Sequence, residues 1–139
     1  MSNIWNNFTE YIINNYSNAS KIVEVGVGKT LEPSNILKSK LTHANITIID
    51  IHPANDSVTY DDICNPTDTI YKNSDLIYSI RPPEELQLDI FNLGKRYNCD
   101  IIIKPLFTEE INLNLQNKLK LVNHKRTAFY VYKESELHD

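Results

Sequence analysis

Two of the chain's three glycines stand in Glu24-Val25-Gly26-Val27-Gly28, directly after an apolar run and ahead of a helix-capable stretch. Glycine reaches backbone conformations closed to other residues, and in an open α/β sheet the loop after the first strand lies where strand order reverses and ligands bind. The edge of a cofactor suits such a loop; a tight turn that binds nothing is the alternative. Two nucleotide motifs fail on spacing. A dinucleotide fingerprint needs Gly or Ala three residues after its second glycine, where this chain has Leu31. A phosphate loop needs a glycine five residues before Gly28, where it has Val23.

Asp50 closes a second apolar run and is followed by Ile51-His52-Pro53. An acid there, about 20 residues after a glycine turn, can accept two hydrogen bonds from the ribose hydroxyls of any adenosine ligand, or else simply cap a turn. Asp61-Asp62 follows a third run, where a helix cap is the plain reading. After a fourth run comes Ser79-Ile80-Arg81-Pro82-Pro83-Glu84, a rim stiffened by its prolines. Lys29, His52, Arg81 and Lys104 each follow a run, so a parallel sheet would gather them at one edge, where a phosphate or carboxylate would suit them. Taken singly, each is a solvated surface group. His43 and His124 have no nucleophile motif beside them and read as solvated, and the turn His124-Lys125-Arg126 is a weak phosphate contact at best. Cys64 and Cys99 lie far apart, without a Cys/His cluster, and read as free thiols; no metal site is expected.

The elements that must position these residues follow from hydrophobic spacing. Ile4, Phe8, Ile12 and Tyr16 recur every four residues behind Ser2 and Asn3, which predicts an amphipathic helix over about 3–16 with its aromatics, Trp5 included, toward the core. Five β-branched runs at 22–25, 46–49, 58–60, 76–80 and 101–103 read as strands, with helices at 33–41 and 83–97 between them. Apolar strands alternating with helices predict an α/β fold, a three-layer doubly wound, mostly parallel sheet. A helix at 108–118 and an antiparallel hairpin of 119–123 with 128–133 complete a single domain of 1–139, ending in a polar tail at 134–139.

The composition, 41% hydrophobic and 23% charged over 139 residues with six prolines, is that of one folded domain with its own core. A net charge of -4 argues against broad nucleic-acid binding. No apolar run reaches the ~18 residues needed to span a bilayer, and the amino terminus lacks signal-peptide character, so no membrane partner and a cytoplasmic location are expected. A homo-oligomer is left open.

Glu24-x-Gly26-x-Gly28 resembles the first motif of class I S-adenosylmethionine-dependent methyltransferases, and the order of elements from 21 to 133, final hairpin included, is similar to theirs. The resemblance implies a methyltransferase-like Rossmann fold and S-adenosylmethionine as cofactor. Glu24 would help hold the methionine amino group, Gly26 and Gly28 would line the ligand, Asp50 would take the ribose, and Asp61 or Asp62 would face the adenine. Amino-methylating members carry Asn or Asp, then Pro-Pro, then an aromatic ring, whereas this chain has Arg81 and Glu84 at the flanking positions. A guanidinium cannot accept a hydrogen bond from an amine, so this departure from the family pattern argues against amino methylation, and the basic residues themselves suit a small anionic acceptor held by Arg81, Pro82 and Lys104. Thr30 stands where the motif often has its third glycine, which keeps a second reading open: a non-catalytic nucleotide-binding or protein-interaction module. An NAD-linked oxidoreductase is third, weakened by Leu31, and Tyr78 is a candidate to fill the crevice. Val23-Glu-Val-Gly-Val-Gly28, Asp50-Ile-His-Pro53, Asp61-Asp62, Ile77-Tyr-Ser-Ile-Arg-Pro-Pro83 and Ile102-Ile-Lys-Pro-Leu106 together are similar to a small archaeal family of uncharacterised Rossmann-like proteins.

Overall fold

The computed structural model describes residues 5–134; Ser2, Asn3, Ile4 and the tail from 135 on lie outside the described residues. The elements are α1 (Asn6–Asn15), β1 (Lys21–Val25), α2 (Glu32–Lys40), β2 (Asn45–Asp50), β3 (Thr59–Tyr60), α3 (Asp68–Tyr71), β4 (Leu76–Ile80), α4 (Glu84–Arg96), β5 (Asp100–Lys104), β6 (Lys120–His124) and β7 (Thr127–Tyr132). They build one seven-stranded sheet ordered β3-β2-β1-β4-β5-β7-β6. β1 to β5 run parallel and β7 returns antiparallel between β5 and β6. The expected doubly wound sheet with its terminal hairpin is thus present. Strand order reverses between β1 and β4, which opens a crevice at the carboxyl ends of those two strands.

Alternation along the strands divides the core between the two faces. Phe8, Ile12 and Tyr16 of α1 and Leu37 of α2 pack on Ile22, Ile46, Tyr78 and Ile102 on one face. Ile90, Phe91 and Leu93 of α4 pack on Val23, Val25, Ile77, Ile101 and Ile103 on the other. Glu24 lies on the α1 side, directly across from Tyr78 in the β1–β4 register. Among the described residues no helix is long and apolar enough to cross a membrane.

The segment predicted as a helix over 108–118 is instead two 3-10 turns, Thr108–Glu110 and Leu113–Leu115. Its apolar spacing is real, since Ile111 and Leu115 are both buried. The buried side chain of Gln87, however, donates to the Glu110 carbonyl at 3.1 Å and accepts the Asn112 N–H at 2.6 Å. Those are backbone groups a helix would have paired internally. The hairpin turn is also tighter than expected: His124 pairs with Thr127, leaving Lys125 and Arg126 at φ +50° and +71°. His124, read as solvated, is half-buried and bonded through Nε2 to Glu10 at 2.9 Å, and Lys125 joins the same carboxylate at 2.8 Å.

Candidate functional site: three cavities around the glycine turn

Gly26 and Gly28 take φ of +69° and +59°, the left-handed region that other residues enter only at a cost. A methyl group at Gly28 would project into open space, so its lack of a side chain serves the backbone turn rather than relieving crowding. Beyond the turn, Leu31 precedes α2 and packs against Val27, Ile48 and Val58. Leu31, at the position a dinucleotide fingerprint reserves for glycine or alanine, is thus taken up by apolar packing.

Two cavities border the turn, and a third adjoins them at Arg81 and Pro83. The first, of about 280 Å³, has an apolar wall of Val25, Ile49, Ile63 and Leu86 and carries Asp50, Asp61 and Asp62. The second, of about 200 Å³, holds Glu24, Lys29 and Arg81 beside Trp5 and both glycines. The third, of about 260 Å³, lies behind Pro82 and Pro83 with Glu84, Leu106 and Glu110. They share single residues: Gly26 between first and second, Arg81 between second and third, Pro83 between first and third. Two other cavities, one against the lysines of the terminal hairpin and one near Asp75 and Asp100, do not touch the turn. Tyr78, the candidate filler, lines none of the three.

Glu24 is 2% exposed and its Oε1 accepts the Tyr78 hydroxyl at 2.8 Å. Burial pushes its carboxyl up to about 7, against the smaller opposing effects of the Tyr78 hydrogen bond and the Lys38 charge. Near neutrality it can therefore exist as acid or as carboxylate, and an ammonium entering the second cavity favours the carboxylate. Asp50 uses both oxygens on backbone: Oδ2 accepts Gly28 N–H and Oδ1 accepts His52 N–H, each at 2.8 Å. It thereby ties the end of β2 to the glycine turn, and each oxygen retains capacity for another donor.

The two neighbouring acids differ. Asp61 is buried and its carboxylate is taken up by the Thr67 N–H, the Thr67 hydroxyl and the Tyr71 hydroxyl. Asp62 is half-buried and accepts the Cys64 N–H at 2.9 Å, leaving it the more available of the pair. The four basic residues do not converge as one group. Lys29 and Arg81 share the second cavity. Lys104 turns its Nζ to the Ala128 carbonyl at 3.2 Å, and its pKa is lowered by burial first and by the charge of Arg81 second. His52 is exposed and lines none of the three cavities.

Trp5 is the residue that sequence reasoning placed only in the core. It is 6% exposed, yet it lines the second cavity, and the Arg81 guanidinium stacks over its ring at 5.1 Å from the centroid. Its spacing is that of any core-facing aromatic, so no sequence signal separates the two roles. Cys64 edges the first cavity, but the neighbouring Asp89 raises its pKa, and burial pushes the Cys99 thiol up to about 12, so neither is an activated nucleophile. Among the described residues no cluster of His, Cys, Asp or Glu could hold a metal ion.

The glycine turn thus separates an apolar cavity edged by three acids from a second that carries a carboxyl and two cations. The profile of the uncharacterised protein family UPF0146 matches residues 5–134. The chain belongs to that family. A UPF0146 protein from Methanothermobacter thermautotrophicus is 37% identical over 129 residues, which cover 93% of this chain and 95% of the relative. Among solved structures, this UPF0146 chain is similar to an S-adenosyl-L-methionine methyl transferase from Silicibacter pomeroyi DSS-3, with a TM-score of 0.62 at 10% identity over 93% of this chain and 91% of that one. It is also similar to the plantazolicin methyltransferase BpumL in complex with SAH, with a TM-score of 0.57 at 19% identity over 91% of this chain and 55% of that one. At such identities the likeness establishes the methyltransferase-like Rossmann fold.

Proposed function

We propose that this UPF0146 chain is a minimal methyltransferase that binds S-adenosylmethionine across the first two cavities and a small anionic acceptor in the third. The observation that carries the reading is the pairwise meeting of the three cavities at Gly26, Arg81 and Pro83. Two ligands seated on either side of that junction can approach each other while both remain held by protein. When bound, S-adenosylmethionine supplies a methyl group on a sulfonium sulfur. Asp50, and Asp62 beside it, accept hydrogen bonds from the adenosine portion, and the ionised Glu24 holds the amino group while Lys29 answers the carboxylate. Arg81 and the rigid Pro82-Pro83 rim position the acceptor, so the chain's contribution is chiefly orientation and exclusion of water. Solved neighbours of the same fold that are named as S-adenosyl-L-methionine methyl transferases or as complexes with SAH support the choice of ligand.

Titration calorimetry with S-adenosylmethionine and S-adenosylhomocysteine tests this. Asp50→Ala should weaken both by at least roughly tenfold, as expected for losing charge-assisted hydrogen bonds, whereas Arg126→Ala on the distant hairpin should leave them unchanged. Equal affinity in wild type and Asp50→Ala would end the ribose assignment. A second reading, binding without chemistry, is favoured by two details beside the third cavity, which Lys104 does not line. Lys104 is committed to the Ala128 carbonyl, and Glu110 Oε1 accepts the Phe107 N–H. If adenosyl ligands bind but no methyl transfer occurs to any anionic acceptor tried, that reading replaces the first.

A further inference from the structure

Charge is unevenly distributed along this chain. The stretch from Ile111 to Lys133 holds five of its 14 lysines and arginines and none of its 18 acids. An anion repelled by the rest of the acidic chain is drawn to that stretch. The cavity against the terminal hairpin, of about 290 Å³, is lined by three of the five, Lys118, Lys120 and Lys133, and by no Asp or Glu. It lies at the end of the sheet away from the crevice, since Tyr132 at the end of β7 pairs with Ile101 near the start of β5.

Among the described residues none of these three lysines forms a salt bridge; both salt bridges present use Glu10, whose partners are His124 and Lys125. Glu134, next to Lys133 in sequence, lines the neighbouring cavity beside Asp75 and Asp100, and its Oε1 accepts the Tyr132 hydroxyl at 2.9 Å. The Lys118 and Lys133 ammoniums lie 5.7 and 5.1 Å from the ring centroids of Phe91 and Tyr16, contacts that steady a cation without neutralising it. Lys120 is exposed on β6, the last strand of the sheet. Buried Leu119 and Val131 and half-buried Tyr11 and Val122 give the same cavity apolar wall. We propose that this cavity is a second ligand site, taking a small phosphate monoester whose organic part is apolar. At neutral pH such a phosphate carries a charge of about -1.5 to -2 and offers three terminal oxygens, which three ammoniums suit better than they suit the two oxygens of a carboxylate. The volume equals that of roughly ten waters, enough for one small ester.

The test is an amide NMR titration of the full chain with phenyl phosphate and, separately, with inorganic phosphate. Phenyl phosphate should move the amides of 117–122 and 131–133 along one saturable isotherm. Inorganic phosphate should bind there roughly fivefold more weakly, the difference made by burying about 40 Å² of ring. Lys118→Gln combined with Lys120→Gln, both exposed and so harmless to folding, should weaken phenyl phosphate at least roughly tenfold, as expected for losing charge-assisted hydrogen bonds. Equal affinity for the two phosphates, or an isotherm unchanged in the double variant, overturns the assignment. So does movement confined to Arg81 and the glycine turn, which would place the anion in the crevice alone. An oligothymidylate that moves the hairpin amides while phenyl phosphate does not would also overturn it, making the hairpin a nucleic-acid surface instead.

Discussion

Glu24 is a carboxyl in a place where a carboxylate is costly, and the cost is measurable as pH dependence. Its ordinary value of 4.5 rises to about 7 in the folded chain because burial penalises the charge. Between those values the folded protein keeps a proton that the unfolded chain has lost. Stability from this residue is therefore complete below pH 4.5 and is lost as pH rises through 7, by on the order of 3 kcal/mol in all. Glu24→Gln keeps an acceptor for Tyr78 and cannot ionise, so it should flatten this dependence and raise the urea midpoint at pH 8 while lowering S-adenosylmethionine affinity. A midpoint at pH 8 below that of the wild type would contradict the burial argument. That Gly26 and Gly28 form a turn directly after Glu24 at the end of β1 was readable in the sequence, because two glycines closing an apolar run mark a strand-to-helix turn. The fate of Asp61 was not, since it depends on Thr67 and Tyr71, brought close by α3, a four-residue helix without a periodic signature. Trp5 escaped for the opposite reason, having a pattern that core packing already explained.

Among the elements, α4 lies against β5 at Gly94, the one glycine outside the turn. A Cβ there would fall 2.2 and 2.4 Å from two side-chain carbons of the fully buried Ile101. Gly94→Ala should consequently destabilise the fold by about 1–2 kcal/mol, overpacking outweighing the gain in helix propensity; a higher urea midpoint for the variant would show that α4 can shift without penalty. The β6–β7 turn offers the reverse case. Arg126 sits at φ +71° in a two-residue connection that favours glycine, so Arg126→Gly should raise stability by about 0.5–1 kcal/mol, read as an increase in Tm. The strands were legible because β-branched runs have almost no other stable setting, and β4 falls on residues 76–80 as expected. The 108–118 helix was misread because its competitor, the Gln87 side chain, comes from α4 more than 20 residues earlier. Local spacing carries no information about such a partner.

For the whole molecule, binding and folding are linked, since the crevice exists only when β1, β2 and β4 are in register. A ligand at ~100 times its dissociation constant adds roughly 2.7 kcal/mol, which for a domain of this size raises Tm by several degrees. S-adenosylhomocysteine should produce such a shift and NAD should not; the reverse order would return the fold to an oxidoreductase reading despite Leu31. The overall architecture followed from the alternation of elements, whereas the division of the crevice into three connected spaces depends on rotamers and loop paths that no sequence pattern records. The placement of Trp5 in the wall of the second cavity has an optical consequence. It is the chain's single tryptophan, and it touches the guanidinium of Arg81, which lines the same cavity. Its ultraviolet emission therefore arises from one known position, so the unlabelled protein carries its own fluorescent gauge of whether that space is filled.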